Sequence, residues 1–173
     1  MFDPFPTIHT ERLILRQLNI HDHHEIFSIR TNENVNRYLD RPEIKTLAEA
    51  KDFIRRINKG IETNNWIYWA ISLKNKNKLI GTVCLWNVSV KHNRAEIGYE
   101  LHPGFQGKGI MQEAISKVIE FGFRKMHLKV ILAYTHVENE KSARLLEKCN
   151  FIMTGINEAN KQEKIYKLIC PLN

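Results

Sequence analysis

Residues 105–114, FQGKGIMQEA, have the composition of a phosphate-binding loop. Gly107 and Gly109 flank Lys108, and the residues that follow resemble the start of a helix. Glycine lets the backbone approach an anion closely, and the first N–H groups of a helix are free to bind it. The loop fits neither a Walker motif, with its different glycine spacing, nor the dinucleotide fingerprint, which has a third glycine where this chain has Gln112. The pattern therefore predicts a site for another kind of phosphorylated ligand.

Two glutamates precede this loop at a spacing that suits acid–base chemistry. Glu96 and Glu100 belong to the strand-like segment RAEIGYEL, and a strand places residues at even spacing on one face. A carboxylate near a reacting amine can remove its proton, directly or through water. Because most glutamates are exposed, a purely solvated or salt-bridged role is an equally good interpretation of either residue.

Hydrophobic periodicity predicts the elements that position these residues. We expect a strand at 11–18, a short helix around 26–29 and a longer helix at 46–63. Three antiparallel strands then follow at 66–73, 78–88 and 94–101. A helix runs from the loop to about residue 125, and the apolar run 128–135 predicts a strand buried on both faces. The chain then continues with a helix at 138–150 and a terminal hairpin.

Polar residues at the predicted helix ends have the types that cap helices. Asn19 or His21 is placed to cap the first helix, and Thr46 with Glu49 has capping-box spacing. Asn139 is placed to cap the N-terminus of the last helix. Asn150 suits the left-handed conformation that ends a helix, and Phe151 would then pack back against that helix. Gly60 weakens the end of the second helix. The element order is one mixed α+β arrangement, and we expect a single domain over residues 1–173.

Composition and charge limit the class of protein. Hydrophobic residues make up 43% of the 173 residues, and no apolar run reaches the roughly 18 residues of a membrane span. The N-terminal segment lacks the basic and apolar regions of a signal peptide, so we expect a cytoplasmic protein in which Cys84, Cys149 and Cys170 are buried thiols. The net charge of +7 is compatible with an anionic partner, such as nucleic acid or a phosphorylated cofactor, but the spread of the basic residues along the chain favours an ordinary solvated surface. A nucleic-acid-binding module is disfavoured because the basic residues are spread out rather than clustered with aromatics.

Three segments, in order, resemble the landmarks of a known enzyme superfamily. QGKGIM, between a strand and a helix, is similar to the acyl-CoA loop of the GNAT superfamily of N-acetyltransferases, whose pattern is Gln or Arg, two residues, Gly, one residue, and Gly or Ala. Met111 departs at the last position, where methionine is familiar in the RimJ/RimL-like branch. TERLILRQL, AEIGYELHPGFQGKGIMQEA and NEKSARLLEKCNF resemble that branch over residues 10–151.

The resemblance implies a fold and an acyl donor. The fold is a central, mostly antiparallel sheet flanked by helices, with one splayed pair of parallel strands that receives the pantetheine arm. The donor is acetyl-CoA, with no metal. Backbone N–H groups of the loop would face the pyrophosphate, while Leu101 would contact the pantetheine and polarise the thioester carbonyl. The implied cofactor-binding residues are Leu101, Gln106, Gly107, Lys108, Gly109, Ile110, Met111, Asn139 and Ser142.

The resemblance also ranks the catalytic candidates. Glu96 matches the family's AEI glutamate and is the first candidate base, whereas Glu100, where the branch often has an aromatic residue, is the second. Water alone is a third possibility. Ser142 matches the serine near the CoA sulfur and would protonate the leaving thiolate. Tyr134 is the alternative acid, although a tyrosine in a buried strand is more typical of a core.

The resemblance implies one acetyl donor but leaves several acceptor amines open. The branch implies a primary amine, such as the N-terminal α-amine of a ribosomal or other protein. The alternatives are a small-molecule amine or polyamine acetyltransferase and a catalytically silent acyl-CoA-binding domain. We expect no membrane partner and no nucleic acid except through a ribosomal substrate, and a homodimer is compatible with the branch.

Two further clusters are interpreted structurally. The first turn of a helix would scatter the side chains of HDHH, residues 21–24, over different faces, so we expect no metal site there. Trp66, Tyr68, Trp69 and Trp86 fall in predicted strands and are interpreted as core residues, one of which can line the acceptor groove.

Overall fold

A mixed sheet with helices on both faces forms the fold. The computed structural model describes residues 2–171, within which eight strands have the order β1-β2-β3-β4-β5-β6-β8-β7. The strands are Ile8–His9 (β1), Leu13–Arg16 (β2), Ile67–Leu73 (β3), Lys76–Ser89 (β4), Arg94–Leu101 (β5), Val130–His136 (β6), Ile152–Ile156 (β7) and Glu163–Ile169 (β8). The helices are His23–Arg30 (α1), Glu33–Asn36 (α2), Leu47–Glu62 (α3), Ile110–Arg124 (α4) and Glu140–Lys148 (α5).

One strand pair differs in direction from the others. β5 and β6 are parallel, whereas the remaining neighbours in the sheet are antiparallel. This arrangement confirms the predicted α+β fold with a single parallel pair. Within residues 2–171, no helix is long and apolar enough to span a membrane.

The helices cover opposite faces of the sheet. Tyr68 of β3 packs edge-on against Phe53 of α3, and the next residue, Trp69, packs edge-on against Phe121 of α4. Since successive strand residues point to opposite faces, α3 and α4 lie on opposite sides of the sheet. We call these the α3 face and the α4 face.

Two of the three predicted helix caps are formed at their helices. Asn139 caps α5 by accepting from the backbone N–H of Ser142, whereas Asn19 accepts from the backbone N–H of His21 and caps the 3-10 turn Ile20–Asp22, so that α1 begins without a side-chain cap. At α3, Thr46 accepts from the backbone of Glu49 at 3.1 Å, but the Glu49 carboxylate accepts from the backbone of Lys45 instead of Thr46. The second hydrogen bond of the capping box is therefore shifted by one residue, from the backbone of Thr46 to that of Lys45.

Gly60 has a packing role that its type alone does not indicate. α3 continues past it to Glu62, and a Cβ at Gly60 would lie 2.0 Å from Cζ2 of Trp66. The Trp66 indole N–H donates to the carbonyl of Ile57 at 2.9 Å, so the ring lies across the last turns of the helix. Glycine is needed at this position because the ring occupies the space of a side chain.

The C-terminal part confirms the predicted turn and hairpin. Asn150 follows α5 with a φ of 65°, and the buried Phe151 donates its backbone N–H to the carbonyl of Leu146. β8 lies between β6 and β7 in the sheet. Cys84 and Cys149 are buried as predicted, and Cys170 is half-buried.

The prediction that the 128–135 strand is buried on both faces is wrong. In β6, Ile131, Ala133 and Thr135 are buried, whereas Tyr134 on the other face is 37% exposed. The expectation that Tyr134 belongs to a core is therefore also wrong. The apolar run suggested burial on both faces, but β5 separates from β6 after three residue pairs, and one face of β6 therefore lines an open groove.

Candidate active site

A cleft inside the sheet separates β5 from β6. The two strands pair only where Arg94, Ala95 and Glu96 face Val130, Ile131 and Leu132. Beyond Glu96, β5 pairs with β4 and β6 pairs with β8, so each strand turns one backbone edge toward the cleft. An unpaired strand edge binds extended ligands through their amide groups. The cleft therefore suits a narrow chain that carries amides.

The glycine loop lies between the end of β5 and the start of α4. Gly107 and Gly109 have φ values of 74° and 73°, in the left-handed region that favours glycine. A Cβ at Gly107 would meet no heavy atom within 4 Å, so the backbone there borders open space. α4 begins at Ile110 with no side-chain cap. Uncapped N–H groups beside an open glycine backbone fit the pyrophosphate of coenzyme A.

The polar side chains of the loop are held by nearby carbonyl groups. Gln106 donates through Nε2 to the carbonyl of Leu101 at 3.0 Å. Lys108 donates through Nζ to the carbonyl of Gly104 at 2.8 Å, and its ammonium group lies over the ring of Phe105. These contacts shape the loop and join it to the last residue of β5.

The two glutamates lie on the same face of β5, as predicted, but in different surroundings. Glu96 is half-buried at the last position where β5 and β6 are paired. It lies opposite Trp86 of β4, and its carboxylate accepts a hydrogen bond of 2.6 Å from Asn87. Burial and then the charge of Glu96 raise the pKa of Tyr134. Glu96 thus lies at the point where the cleft opens, on the α3 face.

Glu100 lies deeper and is held by two cations. Its side chain is 4% exposed and pairs with Nη1 of Arg30 at 3.4 Å and with Nη1 of Arg41. Arg41 also donates to the side chain of Asn36 at 2.7 Å. With its oxygens bound by guanidinium groups, Glu100 is poorly placed to take a proton from an amine.

Residues 36–41 connect the two walls of the cleft, and we call them the strap. Arg41 binds Glu100 near the end of β5, while Tyr38 stacks on His136 at the end of β6 with ring centroids 5.2 Å apart. Because β5 and β6 run in the same direction, these anchors lie at the same end of the cleft. The strap therefore bounds the groove at that end.

Ser142 and its partner belong to the opposite face. Ser142 lies in the first turn of α5, where its backbone N–H donates to Asn139. Its Oγ shares a hydrogen bond of 2.8 Å with the hydroxyl of Tyr99. Tyr99 pairs with Val83, which pairs with Trp69, so its side chain is on the α4 face. Burial raises the pKa of Tyr99, which keeps the phenol protonated.

The cleft is thus approached from two sides. The α4 face presents Ser142 and the helix that follows the glycine loop, whereas the α3 face presents Glu96. Trp86, 46% exposed, is on the α3 face beside Glu96, in contrast to the fully buried Trp69. Of the four aromatic residues interpreted as core, Trp86 is exposed instead, which makes it the one that can line the groove. Tyr99 was not identified from the sequence. Tyr99 lies three residues after Glu96 on the same strand. Because residues at odd spacing in a strand point to opposite faces, the sequence does indicate that Tyr99 and Glu96 face opposite sides of the sheet.

Cys84 lies between the two glutamates, where burial disfavours its thiolate. It pairs with Gly98 across β4 and β5, and a Cβ at Gly98 would be 3.1 Å from its sulfur. Burial raises the pKa of Cys84 to about 12, so the thiol stays protonated at neutral pH. An acyl-cysteine at this position is therefore disfavoured relative to direct attack on a thioester.

The HDHH residues are engaged in the local structure. Asp22 accepts two hydrogen bonds of 2.8 Å from Arg16, and Nδ1 of His23 is 3.0 Å from the carbonyl of Ile20. Across residues 2–171, no group of three His, Cys, Asp or Glu side chains is arranged to hold a metal ion.

Comparison with known proteins places the chain in a family. The acetyltransferase (GNAT) domain model matches residues 12–152. The uncharacterized N-acetyltransferase YoaA of Bacillus subtilis (strain 168) is 36% identical over 152 residues, which are 88% of this chain and 86% of YoaA. The chain belongs to the GNAT acetyltransferase family and is an acetyl-CoA-dependent N-acetyltransferase.

Two other proteins illustrate the similarity at lower sequence identity. A spermidine N(1)-acetyltransferase of Vibrio cholerae serotype O1 is 29% identical over 144 residues, covering 83% of this chain and 81% of that protein. The structure of RimL, a ribosomal L7/L12 α-N-protein acetyltransferase in complex with coenzyme A, superposes with a TM-score of 0.86 at 18% identity. The superposition covers 97% of this chain and 100% of RimL, and it shows that the two proteins share a fold.

Proposed function

We propose that this enzyme acetylates a primary amine by direct attack on acetyl-CoA within the cleft between β5 and β6. The observation that carries the proposal is the splay of these strands, with Glu96 at the point of separation and the glycine loop beyond the end of β5. Donor and acceptor would enter from opposite faces of the sheet and meet in the cleft.

The α4 face would hold the donor. Backbone N–H groups of residues 107–111 would bind the pyrophosphate, with Gln106 holding the loop against β5. The backbone of Leu101 would contact the pantetheine and polarise the thioester carbonyl. Asn139 and Ser142 lie at the start of α5, on the same side. The thioester supplies the activated acetyl group.

The chain's own residues would move the protons. Glu96 would accept the proton of the attacking amine, directly or through water, since it is half-buried at the point where β5 and β6 separate. Ser142 would donate a proton to the leaving thiolate and regain one from solvent, while the protonated phenol of Tyr99 would orient the serine hydroxyl through their shared hydrogen bond. Glu100, held by two arginines, would position the groove without transferring protons.

The acceptor we favour is the N-terminal α-amine of a peptide or protein. Trp86 and Tyr134 leave the groove exposed on the α3 face, which gives room for a continuing peptide. Arg30 and Arg41 bring two positive charges against the single charge of Glu100, which opposes a polycation. A polyamine is the second candidate, because spermidine N(1)-acetyltransferases are among the relatives.

Steady-state release of CoA thiol with a panel of amines tests this assignment. We expect turnover of short peptides with a free α-amine and none of the same peptides acetylated at that amine, which serve as matched controls. Turnover confined to spermidine would contradict the peptide assignment and identify the second candidate.

A substitution in the glycine loop tests the donor site. Gly107→Ala is expected to raise the KM for acetyl-CoA about tenfold, because the new methyl group would enter the space beside the backbone and strain its left-handed conformation. Gly155→Ala is the matched control, since a Cβ at Gly155 also meets no heavy atom within 4 Å but lies on β7. Equal KM values for the two variants would contradict the placement of the pyrophosphate.

A further inference from the structure

We propose that Arg12 is a positioning residue for donor binding, which holds the glycine loop in the conformation that receives the diphosphate of coenzyme A. The inference rests on the proposed function, in which residues 107–111 bind that diphosphate. Arg12 belongs to the turn between β1 and β2, far from the loop in sequence.

A carboxylate in the first turn of α4 joins this turn to the loop. Glu113 accepts hydrogen bonds from the hydroxyl of Thr10 at 2.5 Å and from the backbone N–H of Arg12 at 2.8 Å. It also accepts from Nε of Arg12 at 2.6 Å. Burial alone would raise the pKa of Glu113, but these hydrogen bonds outweigh it and hold the pKa below its usual range. Glu113 is therefore ionised, and its carboxylate is hydrogen-bonded to the β1–β2 turn.

The same guanidinium reaches the loop itself. Nη1 of Arg12 donates to the carbonyl of Lys108 at 2.9 Å, and a Cβ at Gly109 would lie 3.5 Å from Nη2. Lys108 lies between the two glycines with positive φ. In a trans peptide the carbonyl and the following N–H point in opposite directions, so fixing the carbonyl of Lys108 also fixes the N–H of Gly109.

This contact matters because glycine restricts the backbone of the loop less than other residues would. Two glycines in three residues give the free loop many conformations, and ordering it on binding would weaken affinity for the donor. A planar guanidinium can bind a carboxylate and a carbonyl at once, which a lysine ammonium cannot do with the same geometry. Arg12 thus orders the loop before the ligand arrives.

Two acetyl donors separate positioning of the loop from a general structural role. Acetyl-CoA carries the diphosphate, whereas S-acetylpantetheine has the same thioester and pantetheine without it. For Arg12→Ala, we expect the KM for acetyl-CoA to rise about tenfold, the scale of one charge-assisted hydrogen bond, with kcat unchanged. The KM for S-acetylpantetheine is expected to stay at its wild-type value.

Companion variants keep the test decisive if Arg12→Ala folds poorly. Arg12→Lys is expected to recover only part of the affinity for acetyl-CoA, and Glu113→Gln to raise the same KM with the same selectivity between donors. Arg55→Ala, which removes an exposed arginine paired with Asp52, is the matched control and should behave as wild type.

The outcomes distinguish this inference from the proposed function. Equal rises in KM for both donors, or an unchanged KM for acetyl-CoA, would overturn the role of Arg12. If the wild-type enzyme used S-acetylpantetheine as efficiently as acetyl-CoA, the diphosphate site would itself be wrong, and the role of Arg12 with it.

Discussion

Replacing Glu96 by glutamine is expected to lower kcat/KM about a hundredfold at pH 7, the lower end of what general base catalysis contributes. Glutamine keeps the size of the side chain but cannot accept a proton. An α-amine has a pKa of about 8, so most acceptor molecules are protonated at pH 6 and neutral above pH 9. The loss should therefore be largest at low pH and shrink as the pH rises. Rates measured from pH 6 to 10 check this dependence.

Two controls accompany this variant. Glu158→Gln removes an exposed carboxylate in the loop between β7 and β8 and should leave the pH profile unchanged. Glu100→Gln should not reproduce the low-pH loss, because its carboxylate is bound by arginines. A uniform loss for Glu96→Gln across the pH range would show that Glu96 is not the base.

Glu100→Gln is expected to have the largest effect on stability, lowering the free energy of unfolding by about 3 to 5 kcal/mol. The Arg30 side chain is only 10% exposed and would keep its charge without a counter-ion. Within the described part of the chain, Nε of Arg30 already lacks a hydrogen-bond partner, so few other contacts compensate. Urea denaturation measures the change.

The partner variants show whether the loss comes from the buried cation. Arg41→Met should cost less than Glu100→Gln, because Glu100 would still pair with Arg30. Glu120→Gln, which breaks exposed pairs on α4, should change stability by less than about 0.5 kcal/mol. A loss for Glu100→Gln as small as that of Glu120→Gln would contradict a stabilising role for the cluster.

Local patterns in the sequence are enough to find the elements around the site. The strand predicted at 94–101 is confirmed with the same bounds, because alternating burial and flanking polar residues mark both ends. The helix after the glycine loop begins at Ile110 and ends at Arg124, one residue before its predicted end. Asn139 and Asn150 were identifiable because capping depends on contacts within a few residues.

Contacts between distant segments could not be predicted in the same way. Arg12 and Glu113 are 101 positions apart, and each alone has the pattern of a surface charge. Tyr99 and Ser142 meet only after α5 packs against the neighbouring strand β6. The exposure of Tyr134 depends on the separation of β5 from β6, which leaves no mark in the apolar run of β6 itself.

The short junction between β5 and β6 also links the stability of the protein to its donor. Three residue pairs join a five-stranded half-sheet to a three-stranded half-sheet, so the two halves share few backbone hydrogen bonds. A donor in the cleft would add bonds to both halves, and a ligand that binds only the folded state stabilises it by mass action. At a hundred times its Kd, that gain is about 2.7 kcal/mol. The resistance of this enzyme to unfolding would then rise and fall with the concentration of acetyl-CoA around it.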